Sequence, residues 1–267
     1  MIVDSTHVIE GLSTRVRMSG QGQPLLLIGG LWSQAPMFDP VLPLLDGFRT
    51  IAFDPPGIGE TDLPARPYSI QRLARFAAGV LGAVGVGRAH VLGVSLGGAV
   101  AQELARYHPD RVDRLVLVST GPGTIAVPGR PDILVRFGRP SAYTDISALE
   151  EGAGRLFGGR LRDEPELLRG WHLRPPANTK AWLYRLAGTT GWSSLPWLHR
   201  LTQPTLIIHG DDDPIIPLVN ARLIACRMPD ARLEVIEGGG HLLLLDSAPD
   251  VVPIITGFLT RTTHRPT

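Results

Sequence analysis

Short runs of apolar residues recur along the chain, separated by stretches long enough to form helices. Residues 24–30 (PLLLIGG), 49–54 (RTIAFD), 89–95 (AHVLGVS) and 114–120 (RLVLVST) are apolar almost throughout and are bounded by Gly, Pro or Asp. A strand with one wet face alternates apolar and polar residues. One that does not alternate is buried on both faces, as in a parallel sheet covered by helices. The intervening segments fit this picture: 70–84 is rich in Ala, Leu and Arg, and 96–107 runs straight on from the strand before it. Two later runs, 204–210 (PTLIIHG) and 231–237 (ARLEVIE), each precede a helix-length segment, near 217–228 and 247–261. THVIEG and LSTRVRMSG near the start read as a hairpin turning at Gly11. The pattern predicts an α/β sheet with right-handed crossovers.

The alternation stops between about Gly121 and Leu201. No strand of the buried type is visible there, only Pro/Gly punctuation and amphipathic pieces such as SALEEGAGRLF, EPELLRGW and NTKAWLYRLAG. We expect a core domain built from 1–121 and 200–267, and a helical cap from 122–199 inserted between the sixth and seventh strands, over the strand C-termini. Four tryptophans fall in the insertion, Trp171, Trp182, Trp192 and Trp197. A small core of the cap itself accounts for them as well as a ligand pocket does.

The 267 residues, 43% of them hydrophobic, suit one large domain or one domain with an insertion. A formal net charge of +1 leaves no electrostatic footprint for nucleic acid. The single cysteine, Cys226, excludes an intrachain disulfide and a Cys-based metal site. The N-terminal stretch lacks the basic-then-apolar order of a signal peptide, and no apolar segment reaches the length of a membrane span. The expectation is a soluble, cytoplasmic protein.

The sharpest chemical signal is Gly93-Val94-Ser95-Leu96-Gly97, a G-x-S-x-G pattern where a buried strand ends and a helix begins. A serine on so tight a turn takes a strained backbone, and small neighbours let the chain approach itself. The turn lifts the hydroxyl clear of the sheet edge, and the Leu96 amide at the helix start can donate to a developing oxyanion. Neither G-x-G-x-x-G nor a terminal Gly-Lys-Ser/Thr is present, so a phosphate cradle does not fit. A serine hydroxyl needs a base, and eight histidines compete. His7 and His264 lie near the termini, His90 opens a strand, His108 closes a helix, and His172 and His199 fall in the insertion. His209, at a strand end, is suited to local packing or hydrogen bonding. His241 follows Gly238-Gly239-Gly240 in the loop after the last strand and is expected to be the base.

Nucleophile, acid, histidine is the chain order of the α/β-hydrolases, and the chain resembles that family over nearly its whole length. The resemblance implies the α/β-hydrolase fold, a mostly parallel sheet flanked by helices. The acid must come from Gly210-Asp211-Asp212-Asp213-Pro214-Ile215-Ile216-Pro217. Three consecutive aspartates diverge and do not surround an ion, so neither a metal nor another cofactor is expected. The family's spacing of Gly and Pro in this loop implies Asp213 as the acid, with Asp212 next in line. It also implies that the Leu31 amide completes the oxyanion hole with Leu96, and that FDPPGIGET (53–61) is a structural turn.

A narrower resemblance lies in GVSLGGAVAQELA, VPGRP, AGTTGWSSLPWLHRLTQPTL and GDDDPIIPLVNARLIACRMPDARLEVIEGGGHLLLL. These are similar to intracellular medium-chain-length poly(3-hydroxyalkanoate) depolymerases, serine esterases that cut a storage polyester inside bacterial cells. Leu96 stands where those proteins usually have Trp, and Gly29-Gly30 where they have Asn-Gly. The resemblance implies a catalytic triad of Ser95, Asp213 and His241 and a hydrophobic ester or polyester substrate, with polymer granules as a candidate surface. Trp32, Trp182 and Trp192 are the candidate substrate-binding side chains. The alternatives are another reaction on the same fold (C–C bond hydrolysis, cofactor-free haloperoxidase chemistry, small-ester hydrolysis) or a slow-turnover ligand receptor.

Overall fold

Strands without a polar face need cover on both sides, and the fold provides it. The computed structural model describes residues 1–31, 33–137, 146–170 and 179–261. In it, β1 (Ile2–Ile9), β2 (Leu12–Ser19), β3 (Gln23–Ile28), β4 (Phe48–Phe53), β5 (Ala89–Val94), β6 (Val112–Val118), β7 (Thr205–Gly210) and β8 (Ala231–Ile236) form one sheet. Its order is β1-β2-β4-β3-β5-β6-β7-β8. The β1–β2 and β2–β4 pairings are antiparallel, and the rest are parallel. The expected hairpin turns at Glu10 and Gly11, both at positive φ.

Nine helices are described: α1 (Ile70–Ala83), α2 (Leu96–Tyr107), α3 (Pro131–Phe137), α4 (Ile146–Glu151), α5 (Ala153–Phe157), α6 (Thr179–Thr189), α7 (Val219–Arg227), α8 (Leu243–Asp246) and α9 (Ala248–Leu259). Successive strand residues go to opposite layers, as a period of two demands. Leu26, Ile28, Val91, Leu115, Leu117 and Ile207 pack with α1, α2 and α7. Their neighbours Leu25, Leu27, Leu92, Val94, Val116, Val118, Leu206 and Ile208 pack on the other face, with α9 and α5. Each such side chain taken out of water contributes about 1.5–3 kcal/mol, so both faces of the sheet stabilise the fold.

Strand pairing aligns the carboxyl ends that matter for chemistry. Ile28 sits opposite Gly93, Val94 opposite Val118, Val118 opposite Ile208, and Gly210 opposite Ile236. The loops after β3, β5, β7 and β8 therefore leave from one edge. β4 and β5 flank β3 on opposite sides, and the crevice at such a reversal is where open α/β sheets bind ligands.

Between β6 and β7 the described residues hold helices and one isolated bridge, Gly123 to Ser193, and no strand. This insertion is tied to the sheet domain at several points. Asn220 on α7 accepts from the Val127 amide and donates to the Val127 carbonyl, each at 2.8 Å. Among the described residues, no helix is long and apolar enough to cross a membrane.

Candidate active site

Ser95 links the end of β5 to the start of α2 and has φ 53° and ψ −119°. An L-residue holds such a backbone only where its surroundings over-determine it, at a cost of about 1–3 kcal/mol. Here the Ser95 amide donates to the Val118 carbonyl (2.9 Å), and the Ser95 carbonyl accepts from Thr120 Oγ1 (2.7 Å) and the Gly98 amide (2.9 Å). The glycines around it are dictated by contact. A Cβ on Gly93 would strike the backbone of Gly97, one on Gly97 the carbonyls of Ile28 and Gly29, and one on Gly98 the Thr120 side chain. The small residues of the motif let β3, β5 and α2 meet under the serine.

His241 reaches this serine from the loop after β8. Its Nε2 lies 3.1 Å from Ser95 Oγ, and its Nδ1 lies 2.8 Å from Asp213 Oδ2. A carboxylate only accepts, so Asp213 holds the proton on Nδ1 and leaves the Nε2 lone pair facing the hydroxyl. Asp213 is fixed in turn: its Oδ1 accepts from the Ile215 and Ile216 amides, both at 2.9 Å. His209, fully buried, bonds the Ile216 carbonyl through Nε2 at 2.7 Å, the local role expected of it. That nitrogen is also 3.5 Å from Asp213 Oδ2, and burial pushes the His209 pKa down, which favours its neutral form. An imidazole placed as His241 is can take a proton from an attacking hydroxyl and return it to a leaving group.

Leu96 is the first residue of α2, so its amide has no acceptor one turn earlier. Leu31 follows β3, and a Cβ at Gly30 would lie 3.4 Å from Ser95 Cβ, so this loop runs beside the serine. Neither amide is given to a backbone acceptor among the described residues. Asp54 anchors the neighbouring turn, as expected of FDPPGIGET. It is fully buried, accepts from the Ala35 and Glu60 amides and pairs with Arg15 at 2.9 Å.

Residues 23–248 match the family described as the alpha/beta hydrolase fold. The chain belongs to this family. A poly(3-hydroxyalkanoate) depolymerase from Ectopseudomonas oleovorans is 39% identical, over 91% of this chain and 86% of that protein. A 2-hydroxymuconate semialdehyde hydrolase from Pseudomonas sp. (strain CF600) is 29% identical, over 94% and 92%. Among solved structures, a hydrolase from Pseudomonas aeruginosa PA01 superposes with a TM-score of 0.81 at 28% identity, covering 97% of this chain and 98% of that one.

The segment between β6 and β7 places two of the candidate tryptophans in different layers. Trp182 on α6 is buried in the same apolar layer as Phe157, Ile215 and Leu242, and Leu31 packs against that layer. Trp192 lies in the other layer. Its ring packs in the α1/α2 layer, edge-on to Trp197, and its Nε1 donates to the buried Glu103 at 2.7 Å. An indole N–H needs a buried acceptor, and Glu103 draws the ring into the core. Trp32, Trp171, His172 and His264 lie outside the described residues.

The insertion also grips the candidate triad loops. The His241 amide donates to the Phe157 carbonyl at 2.7 Å. Asp212 accepts from Arg162 through both oxygens at 2.7 Å and from the Gly159 amide at 2.8 Å. Asp211 Oδ1 accepts from the Gly238 amide at 2.7 Å. Arg185 on α6 donates from Nε to the Leu31 carbonyl (3.1 Å) and from Nη2 to the Gly30 carbonyl (3.2 Å). None of these partners is near in sequence, so nothing in the order of residues singles out Arg162 or Arg185 from the other arginines.

Proposed function

We propose that the chain is a serine esterase that works through an acyl-enzyme. His241 Nε2 takes the proton of Ser95 Oγ as the oxygen attacks an ester carbonyl, and the Leu31 and Leu96 amides donate to the oxyanion. Collapse of the tetrahedral intermediate expels the alcohol, which leaves with the proton from His241. Water, deprotonated by His241, then releases the acid and restores Ser95. Asp213 orients the imidazole and stabilises its protonated form. The observation that carries this reading is the hydrogen-bond relay from Ser95 through His241 to Asp213, at 3.1 and 2.8 Å, on a serine held at positive φ.

The substrate class we propose is esters and polyesters of medium-chain hydroxy acids, with residues 122–199 acting as the cap over the acyl site. The similarity to a poly(3-hydroxyalkanoate) depolymerase supports this, as does the apolar layer joining Trp182, Phe157, Ile215 and Leu31. This reading makes the protein a cytoplasmic enzyme acting at a hydrophobic polymer surface. Labelling by a serine-reactive fluorophosphonate, with p-nitrophenyl ester turnover across chain lengths, tests it. Labelling at Ser95 and turnover that rises with chain length are expected; absence of both overturns it.

A second reading, C–C bond hydrolysis, is favoured by the similarity to a 2-hydroxymuconate semialdehyde hydrolase. Turnover of a vinylogous 1,5-diketone faster than any ester would select it.

A further inference from the structure

A cation buried without a counter-ion needs an explanation, because taking an isolated charge out of water is costly. Arg185 is 7% exposed, and among the described residues no carboxylate lies within ion-pair distance of it. Its partners are two successive main-chain carbonyls, Gly30 and Leu31, gripped by the Nη2 and Nε edge of the guanidinium. Burial lowers the Arg185 pKa to about 10, which leaves it protonated at neutral pH.

The Gly30 carbonyl and the Leu31 amide belong to one peptide. That peptide is trans, so its C=O and N–H point in opposite directions. Holding the carbonyl on one side fixes where the N–H points on the other. Among the described residues, the one main-chain bond to the Gly30 carbonyl, from the Ser33 amide, is long at 3.3 Å, so the loop needs a further hold. Gly29 and Gly30 both lack a β-carbon, and their backbone torsions are otherwise the least restrained of any residue. A flipped peptide would present N–H to a guanidinium, donor against donor, and turn its carbonyl oxygen to the side the N–H now faces. A cation on the carbonyl also polarises the amide and strengthens its N–H as a donor.

We propose that Arg185 is a positioning residue that locks the Gly30–Leu31 peptide with its N–H toward the Ser95 oxyanion. Because α6 carries it, the oxyanion hole is complete only when the inserted helices are seated. This rests on the serine-esterase reading above.

The test uses full-length wild type, Arg185→Met and Arg185→Lys with a p-nitrophenyl ester. Alongside is an alkyl trifluoromethyl ketone of matched chain length. Ser95 Oγ adds to the ketone carbon, its proton passes to His241, and the carbonyl electron pair becomes an oxyanion in the hole. Arg185→Met is expected to lower kcat by about 10²-fold, the loss typical of one oxyanion donor, with KM within about twofold. Ketone affinity should fall in parallel with kcat/KM, while affinity for an unreactive ether of the same length holds. Arg185→Lys keeps the charge and one bond and should fall between. It carries the comparison if the methionine variant does not fold, as judged by its melting transition. Wild-type kcat and ketone affinity in Arg185→Met overturn the assignment, as does a loss shared equally by ketone and ether, which marks a merely structural role. A wild-type protein that neither labels at Ser95 nor hydrolyses any ester overturns the esterase reading, and this assignment with it.

Discussion

His241 Nδ1 lies 2.8 Å from Oδ2 of Asp213, while the adjacent Asp212 turns the other way and takes Arg162 with both oxygens at 2.7 Å. Neighbours in sequence thus face different parts of the molecule, one toward the candidate triad and one toward the insertion. Asp211 closes a third contact, to the Gly238 amide. The run of three aspartates is a junction: Asp211 and Asp213 hold the loop after β8, and Asp212 holds the insertion.

The first prediction separates Asp213 from Asp212 by kinetics. Ser95→Ala or His241→Ala should reduce turnover by roughly 10⁶-fold, and Asp213→Asn should leave more residual activity, because the acid only orients and stabilises the imidazole. Asp212→Asn should keep most of the activity. Steady-state rates on one ester check the order; a crippled Asp212→Asn beside a mild Asp213→Asn would reverse the assignment.

The sheet and the triad candidates were legible from the chain because each leaves a local trace. Buried strands lack a polar face, the serine turn needs its glycines, and His241 sits behind three of them. The contacts of Arg162, Arg185 and Trp192 leave none. Arg185 meets Gly30 across 155 positions and Trp192 meets Glu103 across 89. Side chains paired over such distances are set by how the insertion seats on the sheet. Trp192 shows the consequence: from sequence it is one of four insertion tryptophans, and only the buried carboxyl on α2 makes it a core residue.

Asp212 should also matter to stability in a pH-dependent way. The Arg162 guanidinium beside it, with the Gly159 amide, holds its carboxyl below the ordinary 3.8. A depressed acid contributes stability above its unfolded pKa and loses it as the pH falls through the folded value. Asp212→Asn should lower Tm at neutral pH by about 2–4 °C, the shift for about 1 kcal/mol in a chain of this size. The gap to wild type should close as the pH is taken below the ordinary carboxylate range. Melting curves across that range check it.

Glu103 behaves in the opposite sense. Its side chain is wholly buried, and desolvation pushes its carboxyl up despite the donors Trp192, Arg106 and Gln71. A raised acid contributes stability below its unfolded pKa, 4.5, and loses it as the pH rises through the folded value. Glu103→Gln keeps an acceptor for the Trp192 indole and removes the charge. It should gain stability relative to wild type as the pH rises above that value, read as a growing Tm difference. A difference that does not change with pH would show that burial does not perturb this carboxyl.

Metal removal gives a simple contrast. Among the described residues, no group of three or more His, Cys, Asp or Glu could hold an ion, and the proposed steps use only protons and amides. Exhaustive EDTA treatment should leave the ester rate unchanged. Loss of rate restored by a divalent ion would count against the mechanism.

The last prediction concerns what the acyl site accepts. Each methylene moved from water into an apolar site contributes about 0.8 kcal/mol, so a few extra carbons can raise kcat/KM more than tenfold. Turnover should favour esters of acids of roughly six to ten carbons over acetates, and polymers of 3-hydroxyoctanoate-type units over poly(3-hydroxybutyrate). The two tryptophans then give different signatures. Trp182 belongs to the layer against which Leu31 packs, so Trp182→Ala should flatten the chain-length preference. Trp192 is held by Trp197 and Glu103 in the opposite layer. Trp192→Ala should instead cost about 3–5 kcal/mol of stability and leave the slope of log(kcat/KM) against carbon number unchanged. A flattened slope in Trp192→Ala, with an unaltered one in Trp182→Ala, would move the acyl site to the other face of the sheet. A series in which acetate wins outright would remove the polyester reading and leave a short-chain esterase.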